Sequence, residues 1–302
     1  MTLTGLHILL TYQCNFECDH CFVWGSPRQT GTFTLAHLKN VLQQAVDAET
    51  ITEIYFEGGE PFLYYPILLK GVARAHRLGF WTGIVSNNYW AAGVDEAVAW
   101  LEPLAEAGLN RIDLSSDLWH GDKPDVPPAQ HALAAAEQLG LEAGTICITP
   151  PTGYRDPAES EPGAPVTGGG VMYRGRAASV LAADLPTHPW DSFTACPYEA
   201  LADPGRVHLD PAGNLHLCQG LVMGNLFQQP LKQIIQTYTP TAHPIVGPLL
   251  AGGPAQLVEQ HRLPHRASYV DACHLCYTAR ASLRPQFSRL LTPDQMYGEF
   301  ES

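Results

Sequence analysis

From residue 5 to about 149 the chain alternates short apolar runs with amphipathic stretches. That βαβα order commits it to parallel strands, because parallel neighbours need a crossover and helices supply it. Gly5 to Tyr12, Glu53 to Glu57, Thr82 to Ser86, Arg111 to Ser115 and Glu142 to Ile148 read as the strands. Leu35, Leu38, Leu42, Ala45 and Val46 recur at helical spacing behind Thr34, an available N-cap. Val72, Ala75 and Leu78, then Val94, Val98 and Leu101, then Leu133, Ala136 and Leu139 repeat the pattern. Gly79 and Gly140 stand where helices end.

Beyond about residue 190 the pattern changes. Arg206 to Asp210 and Asn214 to Cys218 flank Pro211-Ala212-Gly213, a bulged-hairpin connection, and a short helix near Leu231 to Tyr238 precedes a Cys-x-x-Cys tail. Residues 150–170 carry little periodicity, which suits an active-site lid or an insertion. The 302 residues suffice for one full domain and a modest second. We place the boundary between residues 185 and 186, giving units 1–185 and 186–302. Thirty acidic against 17 basic side chains leave a net charge of -13, which argues against a nucleic-acid partner. With neither a signal peptide nor an apolar run of membrane length, the expected location is cytoplasmic, with no membrane partner.

In such a compartment eight cysteines point to metal or cluster ligation rather than disulfides. They fall into a triplet (Cys14, Cys18, Cys21), a single residue (Cys147) and a late quartet (Cys196, Cys218, Cys273, Cys276). The triplet follows the first strand, and three thiolates hold only three irons of a 4Fe-4S cube, leaving one open. A closed zinc site would need a fourth ligand, for which His20 is the candidate. Gly58-Gly59-Glu60-Pro61 follows the second strand, and its glycines expose backbone for close approach. Ser86-Asn87-Asn88 follows the third and Ser115-Ser116-Asp117 the fourth. All lie after strand C-termini, the rim where α/β sheets and barrels place ligands.

With these motifs in register the chain resembles the radical S-adenosylmethionine (radical SAM) superfamily. The resemblance covers roughly residues 7–180 and 196–277. It implies a partial (β/α)6 TIM-like barrel in the α/β class, with a small C-terminal β-hairpin and helix module. It implies a 4Fe-4S cluster on Cys14, Cys18 and Cys21, with SAM bound at the open iron. Gly58, Gly59 and Glu60 would meet the SAM ammonium or hold the turn. Ser86, Asn87, Ser115 and Asp117 would meet the ribose and the carboxylate, and His20 and Ile148 would lie near adenine. Asn88 replaces a family glycine. Arg174-Gly175-Arg176-Ala177 resembles the Gly-Arg-Ala of relatives with an auxiliary cluster, which makes Arg176 a candidate cofactor contact. The late cysteines resemble SPASM and twitch extensions and imply a second 4Fe-4S cluster; zinc satisfies four thiolates equally well.

The implied reaction is reductive cleavage of SAM to a 5'-deoxyadenosyl radical, followed by hydrogen-atom abstraction. The net outcome would be oxidation, crosslinking or epimerisation, with an external donor such as flavodoxin or ferredoxin. A ribosomally made peptide is the expected substrate. Because Cys14 comes so early, a leader-binding domain is not expected ahead of the barrel, so a separate leader-binding protein would be needed; a small molecule such as an amino sugar is the alternative. A non-catalytic iron-sulfur carrier or zinc-stabilised binding protein would explain the cysteines alone. Cys147 is either a hydrogen-atom donor or a core residue. Asp117, His120 and Glu57 are candidate acids or bases, and Trp119 and Tyr154 either form a pocket wall or pack. His216 and His274 read as packing residues beside the late cysteines.

Overall fold

The structure, a computed structural model, describes residues 1–120, 127–151 and 161–300. The first elements follow the expected order: β1 (Gly5–Thr11), α1 (Leu35–Ala48), β2 (Glu53–Gly58), α2 (Tyr65–Arg77), β3 (Trp81–Ser86), α3 (Val94–Glu106), β4 (Arg111–Ser115), α4 (Pro127–Gln138) and β5 (Glu142–Ile148). β6 (Gly168–Gly169) then adds a short sixth strand parallel to β5, and α5 (Arg176–Val180) follows. The six strands from β1 to β6 run parallel in sequence order, the arrangement of a partial (β/α)6 barrel.

Strand alternation divides the residues between two faces. Leu6, Ile8, Leu10, Ile54, Phe56, Ile84, Ile112 and Leu114 are buried in the hydrophobic core beside apolar residues of the helices. The other face is polar and lines a cavity with His7, Glu53, Tyr55, Glu57, Arg111 and Asp113. In α1 the buried set is Leu38, Val41, Leu42, Ala45 and Ala48. Leu35 and Val46, which the spacing placed inward, are 52% and 37% exposed, and Val41 and Ala48 take their places beside Leu38, Leu42 and Ala45 in the apolar stripe. Thr34 caps the helix as anticipated, accepting from the His37 N–H.

The C-terminal segment contributes β7 (His188–Pro189), β8 (Arg206–Leu209), β9 (Asn214–Cys218), β10 (Leu221–Asn225), α6 (Leu231–Thr237), α7 (Val246–His261), β11 (Ser268–Tyr269) and α8 (Ala272–Leu283). The expected hairpin does not stand apart. β8 pairs in parallel with β1, and β9 and β10 continue the sheet antiparallel, giving the order β10-β9-β8-β1-β2-β3-β4-β5-β6. Across the expected 185/186 boundary runs one hydrophobic cluster joining Leu6 and Ile8 to Leu215, Leu257 and Leu275.

The hairpin is fastened by Asp210, which is fully buried. It accepts from Tyr12 Oη (2.9 Å), the N–H groups of Ala212 and Asn214 (2.9 and 2.8 Å) and Asn214 Nδ2 (2.9 Å), with His216 Nε2 at 3.1 Å. Burial pushes the Asp210 carboxyl up, but His216 and Asn214 outweigh it and hold it below the usual carboxylate range. A depressed folded-state value stabilises above the unfolded value of about 3.9 and loses that stabilisation as pH falls through the folded one. Asp210→Ala is therefore expected to cost about 3 to 5 kcal/mol in urea unfolding at neutral pH. The stability gap between the wild type and Asp210→Asn should narrow as pH falls below about 4.

Candidate active site at the strand ends

The loop after β1 carries the cysteine triplet. Cys14, Cys18 and Cys21 line a cavity of about 760 Å³, within the range of a small-molecule site. Phe16 N–H (3.4 Å) and Asn87 Nδ2 (3.5 Å) donate to Cys14 Sγ, and Gly25 N–H donates to Cys21 Sγ at 3.2 Å. Burial pushes the Cys14 thiol up to about 12 and raises Cys18 as well. Buried sulfurs that collect N–H donors, yet cannot ionise alone, suit thiolates neutralised by bound iron.

The glycines after β2 make the site possible. Gly58 takes φ +133°, which other residues rarely adopt, and a Cβ on Gly59 would stand 2.1 Å from the Gln13 carbonyl oxygen. The loops are stitched by Gly59 N–H to Thr11 O (2.7 Å) and Glu60 N–H to Gln13 O (2.9 Å). The Glu60 side chain is buried and absent from the cavity wall. It accepts from Phe62 N–H (3.0 Å), Ser86 Oγ (3.0 Å) and Asn87 N–H (2.8 Å), so it holds the β2 and β3 ends together. Burial pushes it up to about 7 against those three donors, which favour its anion.

Gly58, Gly59, Ser86, Asn87, Ser115, His20, His120 and Ile148 all reach the cavity wall. Asn88 takes φ +65°, so it supplies the left-handed turn that the missing glycine would have made, and its Nδ2 donates to Ser115 O at 2.6 Å. Asp117 is buried and stands behind the wall, accepting from Trp119 N–H (3.1 Å) and Ile148 N–H (3.0 Å), with His120 Nδ1 at 2.7 Å. Only His120 of that pair touches the cavity, so any contact of Asp117 with a ligand passes through its neighbours. Burial holds His20 down to about 4, and its Nδ1 has no partner among the described residues. The ring packs against Trp119 and His120.

Two expectations shift. Arg176 is buried and absent from the cavity wall; its guanidinium donates to Cys18 O (2.6 Å) and Gly25 O (2.8 Å), fixing the cysteine loop instead of a ligand. Cys147 is exposed on the β5 face opposite Ile146 and Ile148, so alternation turns its thiol away from the cavity. Trp119 packs, with its Nε1 donating to Ile148 O at 3.0 Å. Tyr154 and positions 152–160 of the expected lid lie outside the described residues.

Cys196, Cys218, Cys273 and Cys276, with Arg174 and Arg280, surround a second, smaller pocket. Arg174 Nη1 lies 3.1 Å from Cys218 Sγ and 2.7 Å from Glu199 Oε1. Burial pushes the Cys196 thiol up to about 12 and raises Cys273 and Cys276. His274 packs beside them against Tyr269. Arg174 and Glu199 belong to both pockets and so bridge them, a role that neither residue's sequence context signalled.

Residues 8–125 match the model of the radical SAM superfamily. The peptide biosynthesis protein YydG of Bacillus subtilis (strain 168) is 25% identical over 113 residues, 37% of this chain and 35% of that protein. A protein assigned as a GTP 3',8-cyclase in Methanothermobacter thermautotrophicus is 29% identical over 114 residues, again 37% and 35%. The matched stretch thus spans about a third of the length of these relatives. Among solved structures, BtrN in complex with AdoMet and 2-DOIA superposes with a TM-score of 0.50 at 15% identity, over 78% of this chain and 82% of that one, which establishes a likeness of fold. Glu60→Gln, which turns an amide donor towards three donors, is expected to weaken SAM binding about 10- to 100-fold in equilibrium dialysis, the size of a lost charged hydrogen bond.

Proposed function

Since the chain belongs to the radical SAM superfamily through residues 8–125, we propose that it cleaves S-adenosylmethionine at this rim and abstracts a hydrogen atom from a peptide. The observation that carries the reading is the gathering of Cys14, Cys18, Cys21, Gly58, Gly59, Asn87 and Ser115 around one cavity. Cys14, Cys18 and Cys21 would hold a 4Fe-4S cluster, which would supply a coordination position for SAM and the electron for its reductive cleavage. The chain's own contribution is position. The Gly58-Gly59 backbone lets the SAM ammonium approach, Asn87 and Ser115 offer polar groups to the rest of the molecule, and His20 and Ile148 present the surface for adenine. His120, held by Asp117, is a group on this wall able to take or give a proton near the cysteine loop.

The peptide reading draws on the YydG likeness, and the net change would be oxidation, crosslinking or epimerisation. One observation favours a second reading, a small polar substrate such as an amino sugar: the cavity floor carries His7, Glu57, Arg111, Asp113 and His208. The four later cysteines are proposed to hold a second 4Fe-4S cluster in a twitch-like module. With Arg174 and Glu199 between the two pockets, its role is electron transfer to or from the first site. An external one-electron donor and, for a peptide, a separate leader-binding protein complete the scheme. Among the described residues no helix is long and apolar enough to cross a membrane.

Anaerobic reconstitution is expected to give about eight irons per chain, two four-iron cubes, and dithionite with SAM should yield 5'-deoxyadenosine by mass spectrometry. Cys18→Ala should abolish that product. Cys276→Ala should lower the iron content while leaving SAM cleavage measurable. Zinc in the quartet would overturn the second cluster, and well-reconstituted protein that leaves SAM intact would overturn the enzyme.

A further inference from the structure

The cavity floor holds a cluster that the SAM chemistry leaves unused. His7 on β1 is in register with His208 on β8 on one side and with Tyr55 on β2 on the other. Glu57 lies two residues beyond Tyr55, so alternation puts all four side chains on the cavity face. His7 Nδ1 stands 2.7 Å from Glu57 Oε1, and His208 Nε2 stands 3.3 Å from the same oxygen. One ligand atom from each of the three residues lies within 4.8 Å of the others.

An interior wall of a small barrel ordinarily carries packing residues. Here two imidazoles and a carboxylate converge and remain 13%, 21% and 12% exposed for His7, His208 and Glu57, all on the cavity wall. The rings are already oriented: His7 stacks on Tyr55 at 4.7 Å and Phe22 meets His208 edge-on at 5.7 Å. Arg111 is neutralised by Asp113 at 2.8 Å, and the Arg206 guanidinium donates to the backbone of Gly163 and Ala164.

We propose that His7 Nδ1, His208 Nε2 and a Glu57 carboxylate oxygen form a binding site for a divalent first-row transition-metal ion such as zinc. Two nitrogens and one oxygen make a ligand set of the open kind, and the remaining positions face the cavity, where water or a substrate oxygen completes the sphere. Binding moves the imidazole protons to the nitrogens turned away from Glu57. Tetrahedral ligands about 2.0 to 2.1 Å from a metal lie about 3.3 Å from one another, so the 2.7 Å contact between His7 and Glu57 opens by about 0.6 Å on binding. The site stands independently of SAM cleavage: it uses none of the seven cysteines of the triplet and quartet.

The test uses reconstituted holoprotein, whose cysteines are occupied, dialysed anaerobically against zinc and scored by elemental analysis. The wild type and Cys147→Ser should each take up about one zinc per chain, and X-ray absorption should show nitrogen and oxygen neighbours near 2.0 to 2.1 Å. His208→Gln and Glu57→Gln should each bind zinc at least about 100-fold more weakly at unchanged iron content, beyond the 10- to 100-fold typical of an outer-shell change. No uptake by the wild type, equal uptake by both variants, or sulfur neighbours near 2.3 Å would overturn the site and leave the triad a hydrogen-bonded acid-base group. Because absorption is read on the wild type, a variant that fails to fold does not blur the result.

Discussion

The close approach of the β1 and β2 loops is the constraint on which the site depends. Gly59 lies so near the Gln13 carbonyl that no side chain fits, and two backbone hydrogen bonds close the seam. From that seam Glu60 reaches to Ser86 and Asn87 on the next strand end, and Asn87 reaches back to Cys14. Three consecutive strand ends are thus tied through one buried carboxylate. The cysteine loop has no regular structure of its own. Its geometry comes from this seam and from Arg176, at the start of α5 after the last parallel strand, which clamps Cys18 O and Gly25 O.

The same economy governs the C-terminal segment. By pairing β8 with the free edge of β1, the hairpin covers an exposed ladder and places His208 beside His7. It also carries Cys218 towards α8, where Cys273 and Cys276 lie one helical turn apart. Arg174 then stands between the two cysteine groups, and its charge offsets both Glu199 and the sulfur of Cys218. A sheet extension that satisfies backbone hydrogen bonds therefore also fixes the spacing of the two candidate redox sites.

Much of this was legible in the sequence because it rests on local pattern. The five main strands and their helices follow from periodicity, and Thr34 and the motif-bearing loops from local chemistry. What escaped depends on contacts distant in sequence. Nothing in Arg206 to Leu209 announces a parallel pairing with Gly5 to Ile8, some two hundred residues earlier. Without that pairing the partnership of His7, Glu57 and His208 is invisible. Asn88 shows the opposite: a departure from the family's glycine that the backbone absorbs, since asparagine tolerates φ +65°. Arg176 and Asp117 stand in the motifs expected to meet SAM, yet burial turns both to holding loops. For Cys147 only the face of β5 decides, and β5 presents it away from the cavity.

If the Cys14, Cys18 and Cys21 site holds the proposed cluster with an iron free to bind SAM, its magnetic signal must respond to SAM. Electron paramagnetic resonance of the dithionite-reduced protein, recorded with and without SAM, tests it at the metal itself. The expected result is a reduced 4Fe-4S signal whose line shape changes on SAM addition, a change that Cys14→Ala removes. A spectrum unaltered by saturating SAM would contradict it and leave an iron-sulfur carrier in place of an enzyme.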